Sequence, residues 1–517
     1  MSSPESSLSS LIFHEETKHS ELSVRTSSHY LDWDNRPYPF KIYENLPLIP
    51  LPKDFARPSM PAVDAISSLS KAEEGRRVDI SRLAELLFFS AGLTRKMNTR
   101  AGMYYMRAAP ATGALYPIEL YAICTDIPGL DAGVYHFNPL EFGLVRLREG
   151  DYSAWLAEAS GRAELASPVT LVFTSFAWRN AWKYEARSYR HWFWDAGVIV
   201  ANFLATSSAE TIHAQIDTGF VDSRVASLLG LSEEKEAPVA LAHIGTFEKA
   251  VGKNQRDPAH LSLRIKPLSR EETEYPIIWK TNSESELHSS SDVRSWRENK
   301  LGLAQRNQGK GPTFRLKTLK QEDSLPSLEK TILQRGSTRR FTPRSIPLEH
   351  LSAILIAAGS PIPLDTAERG SSLVDIFFIA NQIEGLPSGS YRFDKKEGAV
   401  EQLKLGKFRD MSGYLCLDQP LFGDASAVFF LMTDLRRVTE AFGNRGYRLA
   451  QFEAGIRAGK IYLSSYALGN GASGSTFYDD AVTEFFSPEA KGLSAMIAVG
   501  IGVPAYQARP GKVLLTA

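Results

Sequence analysis

The chain repeats itself once, over a long interval, and this constrains its fold more than any other feature. Residues 129–137 (GLDAGVYHF) return as residues 385–393 (GLPSGSYRF). Arg187-Ser188-Tyr189-Arg190 returns as Arg445-Gly446-Tyr447-Arg448, Asp195-Ala196-Gly197 as Glu453-Ala454-Gly455, and Ile244-Gly245 as Val499-Gly500. The offset stays between 255 and 258 residues throughout. A solenoid would show many short periods, so one large domain is present twice. Two copies of one fold in one chain pack most simply as a pseudo-symmetric dimer.

At 517 residues there is chain for roughly three domains of ~150 residues. That leaves room for two copies plus connecting segments. Lys plus Arg and Asp plus Glu both number 59, so nothing argues for bulk binding to nucleic acid or an anionic membrane. Only Cys124 and Cys416 occur. A disulfide framework or a Cys-rich metal site is excluded, and a reducing compartment fits. There is no basic, apolar start resembling a signal peptide and no run of 18 apolar residues. The chain therefore reads as cytoplasmic, with neither nucleic acid nor membrane as a partner.

Residues 1–60 read as an N-terminal extended arm, polar and then Pro-dense, because proline at that density disfavours helix. Residues 61–252 form domain 1 and residues 328–517 form domain 2. Helix patterns cover residues 80–91, with a glycine stop at Gly92, then 196–209 and 328–333. Strand patterns cover residues 118–123, 169–173 and 239–245. Residues 253–327 are polar and weakly patterned, which reads as a connector.

The two copies carry different chemistry. In the second half, Arg335, Ser337 and Arg339 alternate, so an extended backbone points them to one side. Two guanidinium forks and a hydroxyl there make a socket for a terminal phosphate, although a solvated basic turn would have the same spacing. The matching stretch near Ser68-Leu69-Ser70-Lys71-Ala72 has no arginine. The first half instead has Pro110-Ala111-Thr112-Gly113-Ala114-Leu115-Tyr116-Pro117, whose counterpart near residues 366–374 has no proline. Lys183-Tyr184 in the first half aligns with Ala441-Phe442, and the Gly-rich residues 469–480 have no Gly-rich match near residues 213–217. Such complementary losses point to one site assembled from both halves.

These motifs together resemble the nitroreductase superfamily of flavin enzymes, and specifically the SagB/ThcOx-type azoline dehydrogenases. The likeness covers about 380 residues of both halves, and the arm is similar to that of the duplicated members. It implies an α+β fold: two tandem nitroreductase-like, FMN-dependent domains forming an intramolecular pseudo-dimer, with FMN in the interface. It further implies that Arg335, Ser337 and Arg339 bind the phosphate. Pro110, Ala111, Thr112 and Ala114 would line the ribityl chain and ring edge, with Thr112 standing where the family usually has a small residue. Ala472, Ser473 and Gly474 would lie over the isoalloxazine. Only one set of parts is complete, so one FMN per chain is expected and no metal.

The resemblance makes Lys183 and Tyr184 the acid–base pair for oxidising a thiazoline or oxazoline to an azole, with hydride passing to FMN and oxygen reoxidising it. Lysine is a poor base at neutral pH unless its neighbours lower its pKa, and Arg187 and Arg190 are the nearby cations in sequence. The implied substrate is a peptide- or carrier-bound azoline, with a cyclodehydratase or synthetase module as partner. An NAD(P)H-driven nitroreductase or ene-type reductase, and a non-catalytic scaffold, remain alternatives. His136 and His243 read as satisfied core histidines, and Asp479-Asp480 as a helix start. Trp178, Trp182, Trp192 and Trp194 read either as core or as an aromatic wall for substrate. Arg509 and Lys512 are further candidates to reach the phosphate.

Overall fold

The computed structural model describes residues 8–69, 77–99, 102–162, 165–232, 234–249, 257–301, 311–319, 325–366 and 372–506. Each half builds one antiparallel sheet around a meander of strands rich in β-branched and aromatic residues. The first sheet runs, edge to edge, through Leu48–Pro50, Gly143–Glu149, Gly133–Asn138, Ile118–Cys124, Val169–Phe176, Glu236–Ile244 and Ala214–Asp217. The second runs through Thr313–Arg315, Ala399–Leu405, Gly389–Asp394, Asp375–Ala380, Ala427–Thr433 and Ser494–Pro504. Phe341–Thr342 and Gly471–Ser475 both pair with that last strand. The order of equivalent strands is the same in both sheets, which is the duplication seen as topology.

Between the sheets lie two long helices, Ser188–Ala209 and Leu435–Ala467. They cross where the repeat carries Gly197 and Gly455. A Cβ on Gly197 would stand 2.6 Å from the Phe452 carbonyl oxygen, and one on Gly455 would stand 2.6 Å from the Trp194 carbonyl oxygen. The helices thus touch backbone to backbone, which only glycine allows. One apolar core runs from Phe13 through both sheets to Ile501 without a break at the boundary between halves.

Each long helix also reaches into the opposite half. Arg187 and Arg190 hold Asp479 at 2.9 and 2.7 Å, and Arg445 and Arg448 hold Asp222 at 2.5 and 2.8 Å. All six groups are buried. The two carboxylates open the helices Asp479–Phe486 and Asp222–Leu229, where the positive helix end adds to the arginine charge. Both are held below the usual carboxylate range by those arginines, in spite of burial acting the other way.

The proline-dense arm is more ordered than its composition suggests. It begins with a helix, Ser9–Glu16, whose Phe13 meets Tyr189 and Tyr447 edge-on at 5.3 and 6.1 Å. The stretch expected as a connector also carries helices, Pro276–Ser283 and Ser290–Glu298. Arm and connector each supply an edge strand, Leu48–Pro50 to one sheet and Thr313–Arg315 to the other. These segments looked featureless because their few apolar residues anchor onto surfaces far away in sequence. No helix among the described residues is long and apolar enough to cross a membrane.

Asp222→Ala and Asp479→Ala each leave two buried arginines without their carboxylate, and each should cost about 3–5 kcal/mol. Urea unfolding should return similar losses for the two variants. Because both carboxylates have lowered pKa values, their contribution is present above about pH 4 and is lost as the pH falls.

Candidate functional site

The second-half arginine motif and the first-half proline loop meet in one cavity of about 1020 Å³. Its walls include Arg335, Ser337 and Arg339 on one side and Pro110, Ala111 and Ala114 on the other. The three alternating residues do not behave alike. Arg335 is buried and donates from Nε to the Ala108 carbonyl (2.8 Å) and from Nη2 to the Arg107 carbonyl (2.8 Å). Three of its five N–H donors are spent on main-chain carbonyls, counting the bond from Nη1 to Gly336. Arg335 is therefore first a tie between halves. Ser337 is half-buried, and the Tyr462 hydroxyl bonds both to it and to the amide of Gly474. Arg339 is exposed to the cavity and its guanidinium forms no ion pair among the described residues.

A second arginine returns the tie. Arg95, from the first-half hairpin Leu93–Thr99 and Gly102–Arg107, donates from Nη2 to the carbonyls of Leu333 and Gln334, both at 3.1 Å. Those carbonyls end the helix Leu328–Gln334, where a cation is favoured. Sequence reading missed Arg95 because no motif surrounds it. Tyr462 and Tyr466 were missed too, although they sit one turn apart on a helix facing the motif. Tyr466 meets the Thr338 hydroxyl at 3.0 Å.

The loop facing the motif is strained. Gly113, Ala114 and Tyr116 have φ of 63°, 55° and 51°, and two of these are not glycine. Arg179 donates to the Tyr116 carbonyl at 2.8 Å, and the Arg107 amide donates to the Tyr116 hydroxyl at 3.3 Å. Thr112 does not face the cavity. Its amide and hydroxyl both donate to Asp195, at 2.9 and 2.7 Å. Of the Gly-rich run, Ala472 and Ser473 are buried in the strand Gly471–Ser475, and Gly474 is exposed. The cavity wall there is made by Gly469 and Asn470, while the Ala472 carbonyl accepts from the Thr338 amide at 2.8 Å.

Lys183 and Tyr184 end the helix Ala177–Tyr184. The chain breaks there at Glu185, with φ 49° and ψ −143°. In the copy, Gly443 takes the same kink without a Cβ to strain it (φ 63°, ψ −160°). The Tyr184 hydroxyl lies against Gly113, where a Cβ would come within 2.7 Å of it. Tyr184 thus abuts the loop that walls the cavity, while neither Tyr184 nor Lys183 is part of the cavity wall itself. Burial lowers the Lys183 pKa, and Arg339 and Arg36 lower it further. The expected field from Arg187 and Arg190 is not what acts on it, because those two are tied to Asp479. Burial raises the Tyr184 pKa and the Asp195 charge adds to that, against a smaller opposing effect of Arg339.

The remaining candidates settle into the core. His136 is bonded to Glu119 at 2.8 Å and His243 to Asp217 at 2.9 Å. Trp178, Trp182, Trp192 and Trp194 are all buried. Trp178 and Trp182 donate to Ser269 and Asp32, and Trp194 donates to Gln451, so they pack the fold rather than form a wall. Asp479 opens a helix as expected, and no cluster of metal ligands occurs among the described residues. Arg509, Lys512 and residues 70–72 and 367–371 lie outside the described residues.

Residues 332–501, which begin at the arginine motif, match the nitroreductase family model. Those residues of the second half thus form a nitroreductase-family domain. Its full-length fold is that of a nitroreductase-type protein of Anabaena variabilis, at a TM-score of 0.75 and 23% identity, covering 96% of this chain and 99% of that one. The tandem α+β architecture is therefore a whole-chain fold shared with that protein. Two curated relatives are also similar. The trifolitoxin-processing protein TfxB of Rhizobium leguminosarum is 34% identical over 140 residues, 26% of this chain and 38% of TfxB. The microcin B17-processing protein McbC of Escherichia coli is 27% identical over 146 residues, 27% of this chain and 54% of McbC. The chain thus matches less than two thirds of either relative.

Arg335→Ala removes buried bonds between halves and should lower unfolding stability by about 1–3 kcal/mol, and Arg95→Ala, whose bonds are partly exposed, should lower it by about 0.5–1.5 kcal/mol. Arg339→Ala, with no ion-pair partner among the described residues to lose, should stay within about 0.5 kcal/mol of the parent. Denaturant titration of the three variants separates the arginines that tie the halves from the one that does not.

Proposed function

We propose that the cavity between the halves holds one FMN and that the protein is an oxidoreductase that dehydrogenates azolines to azoles in peptide natural-product biosynthesis. The observation that carries this reading is the meeting, in one cavity, of Arg335, Ser337 and Arg339 from one half with Pro110, Ala111 and Ala114 from the other. The cavity suits an amphipathic cofactor. Its volume is at the upper end of ligand sites, which run to ~1,000 Å³. Arg339 offers to a phosphate a guanidinium with no ion pair among the described residues, and Met106, Ala111, Leu468 and Val503 offer apolar wall to a ring system. The two peptide-processing relatives support the substrate class.

Oxidation of an azoline removes a hydride and a proton, and bound FMN supplies the hydride acceptor. The protein's own residues manage the proton. Lys183, held below the ordinary lysine pKa, is the member of the pair that gives up its proton more readily and so serves as base. Tyr184, held above the ordinary tyrosine pKa, keeps its proton and serves as a hydrogen-bond donor. Opposite shifts on adjacent groups divide the roles of acid and base. A peptide- or carrier-bound azoline is the substrate, and a cyclodehydratase or synthetase module that makes the azoline is the partner.

Purified protein should show a flavin spectrum and release one FMN per chain on denaturation. Lys183→Ala and Tyr184→Phe should keep the flavin and lose azoline oxidation by about 10²–10⁴-fold. In the parent, kcat/KM should rise with pH through a midpoint below the ordinary lysine value of 10.5. Full azoline turnover by both variants would remove the base assignment. Rapid anaerobic bleaching by NADPH with no azoline turnover would favour a reductase instead.

A further inference from the structure

The repeat supplies an internal comparison at the position shared by Asp195 and Glu453. Both are buried on the long helices, and both accept from a loop hydroxyl and a loop amide. Asp195 takes those of Thr112, whereas Glu453 takes the Ser372 hydroxyl (2.7 Å) and the Leu373 amide (3.1 Å). They differ in their charge partner. One turn beyond Glu453, Arg457 donates to it from Nε at 2.7 Å and forms a buried ion pair. One turn beyond Asp195 stands Ile199, and no ion pair to Asp195 occurs among the described residues. Its other partner is the Asn180 amide at 3.4 Å, on the helix that carries Lys183 and Tyr184. The titratable groups facing it are Tyr184, Tyr116 and Arg107; the Arg107 guanidinium lines the same small cavity but donates to the Pro39 and Ile118 carbonyls rather than to Asp195.

We propose that Asp195 is a positioning residue, kept without a cation so that its whole hydrogen-bonding capacity holds the strained Ala111–Ala114 turn against the cavity and joins it to the Lys183–Tyr184 helix. The proposal rests on reading the cavity as the cofactor site. A lone buried carboxylate is an expensive way to fix a loop. Burial pushes the Asp195 pKa up to about 7. For a raised acid, the favourable contribution is present below the unfolded value and is lost as the pH rises through about 7. At pH 8 the folded state therefore carries an uncompensated charge. Glu453 is paired with Arg457, and its half lacks the arginine motif's partner loop. Stability and positioning are thus set against each other at Asp195 and not at Glu453.

The test uses the full-length, cofactor-free protein at pH 8 with Asp195→Ala, Asp195→Asn and Glu453→Ala. Thermal unfolding is measured, together with hydrogen exchange at the amides of Ala114 and Leu115 and titration with FMN. Those two amides bond to Ala111 and Thr112 and not to Asp195, so they report the turn itself. Asp195→Ala should melt no lower than the parent, exchange faster at both amides and bind FMN about tenfold or more weakly, the scale of one hydrogen bond to a charged acceptor. Asp195→Asn, which keeps an acceptor oxygen for Thr112, should recover most of the affinity. Glu453→Ala should melt lower, because it strands Arg457, with exchange and FMN affinity unchanged. A lower melting temperature for Asp195→Ala with no faster exchange would overturn the proposal and make Asp195 an ordinary structural acid. If the parent takes no FMN, the cofactor reading falls, and melting and exchange still decide the role of Asp195.

Discussion

Gly197 and Gly455 allow two long helices to touch backbone to backbone, and the rest of the molecule follows from that contact. A side chain at either position would push the helices apart, and the arginines they carry would no longer span the boundary. With the helices in contact, Arg187 and Arg190 reach Asp479 while Arg445 and Arg448 reach Asp222. These buried pairs are poor sources of net stability, since desolvating the charges offsets most of their attraction. Their value is orientation, because a buried charge has no other acceptable partner. The crossing and the paired charges together fix how one half faces the other, to the precision a shared cavity needs.

Symmetric scaffolding carries asymmetric chemistry. Where the first half has Lys183 and Tyr184, the second has Phe442, buried against Trp296 at 5.5 Å. Where the first half has Ile199, the second has Arg457, bonded to Glu453 and to the Ala358 carbonyl. Lys460 is buried nearby with its amine on Ser360 at 2.5 Å, and burial lowers its pKa to about 7. Duplication frees one copy of a site to acquire packing and ion pairs while the other keeps strain and unpaired polar groups. Backbone strain at Ala114, Tyr116 and Glu185 is confined to the first half's side of the cavity, and Gly443 has relaxed the matching kink in the second.

Much of this was legible in the residues. The repeat predicts two equivalent sheets and helices. The arginine motif and proline loop predict a site shared between halves. The helices Ile80–Ala91 and Leu328–Gln334 lie where periodicity and caps put them. What was not legible depended on contacts between residues remote in sequence. Arg335 reads as a ligand by spacing, yet the carbonyls that hold it belong to Arg107 and Ala108. Arg95 and Tyr462 carry no local pattern at all, and Asp195, though marked by the repeat, carries no sign of its partner Thr112. The cations that shift Lys183 are Arg339 and Arg36, from the opposite half and the arm, rather than its sequence neighbours.

The two-fold architecture, and which half holds each part of the candidate site, could be read from the residues alone, because repeats, periodicity and motif chemistry are local properties. Which of those parts face the cavity, which are consumed as ties, and which way burial shifts Lys183, Tyr184 and Asp195 follow only from the tertiary structure. The physical reason is that a guanidinium or carboxylate acquires its role from whatever partner burial leaves it. For Arg335 and Asp195 those partners are Ala108 and Thr112, both remote in sequence and brought to them only by the folded chain.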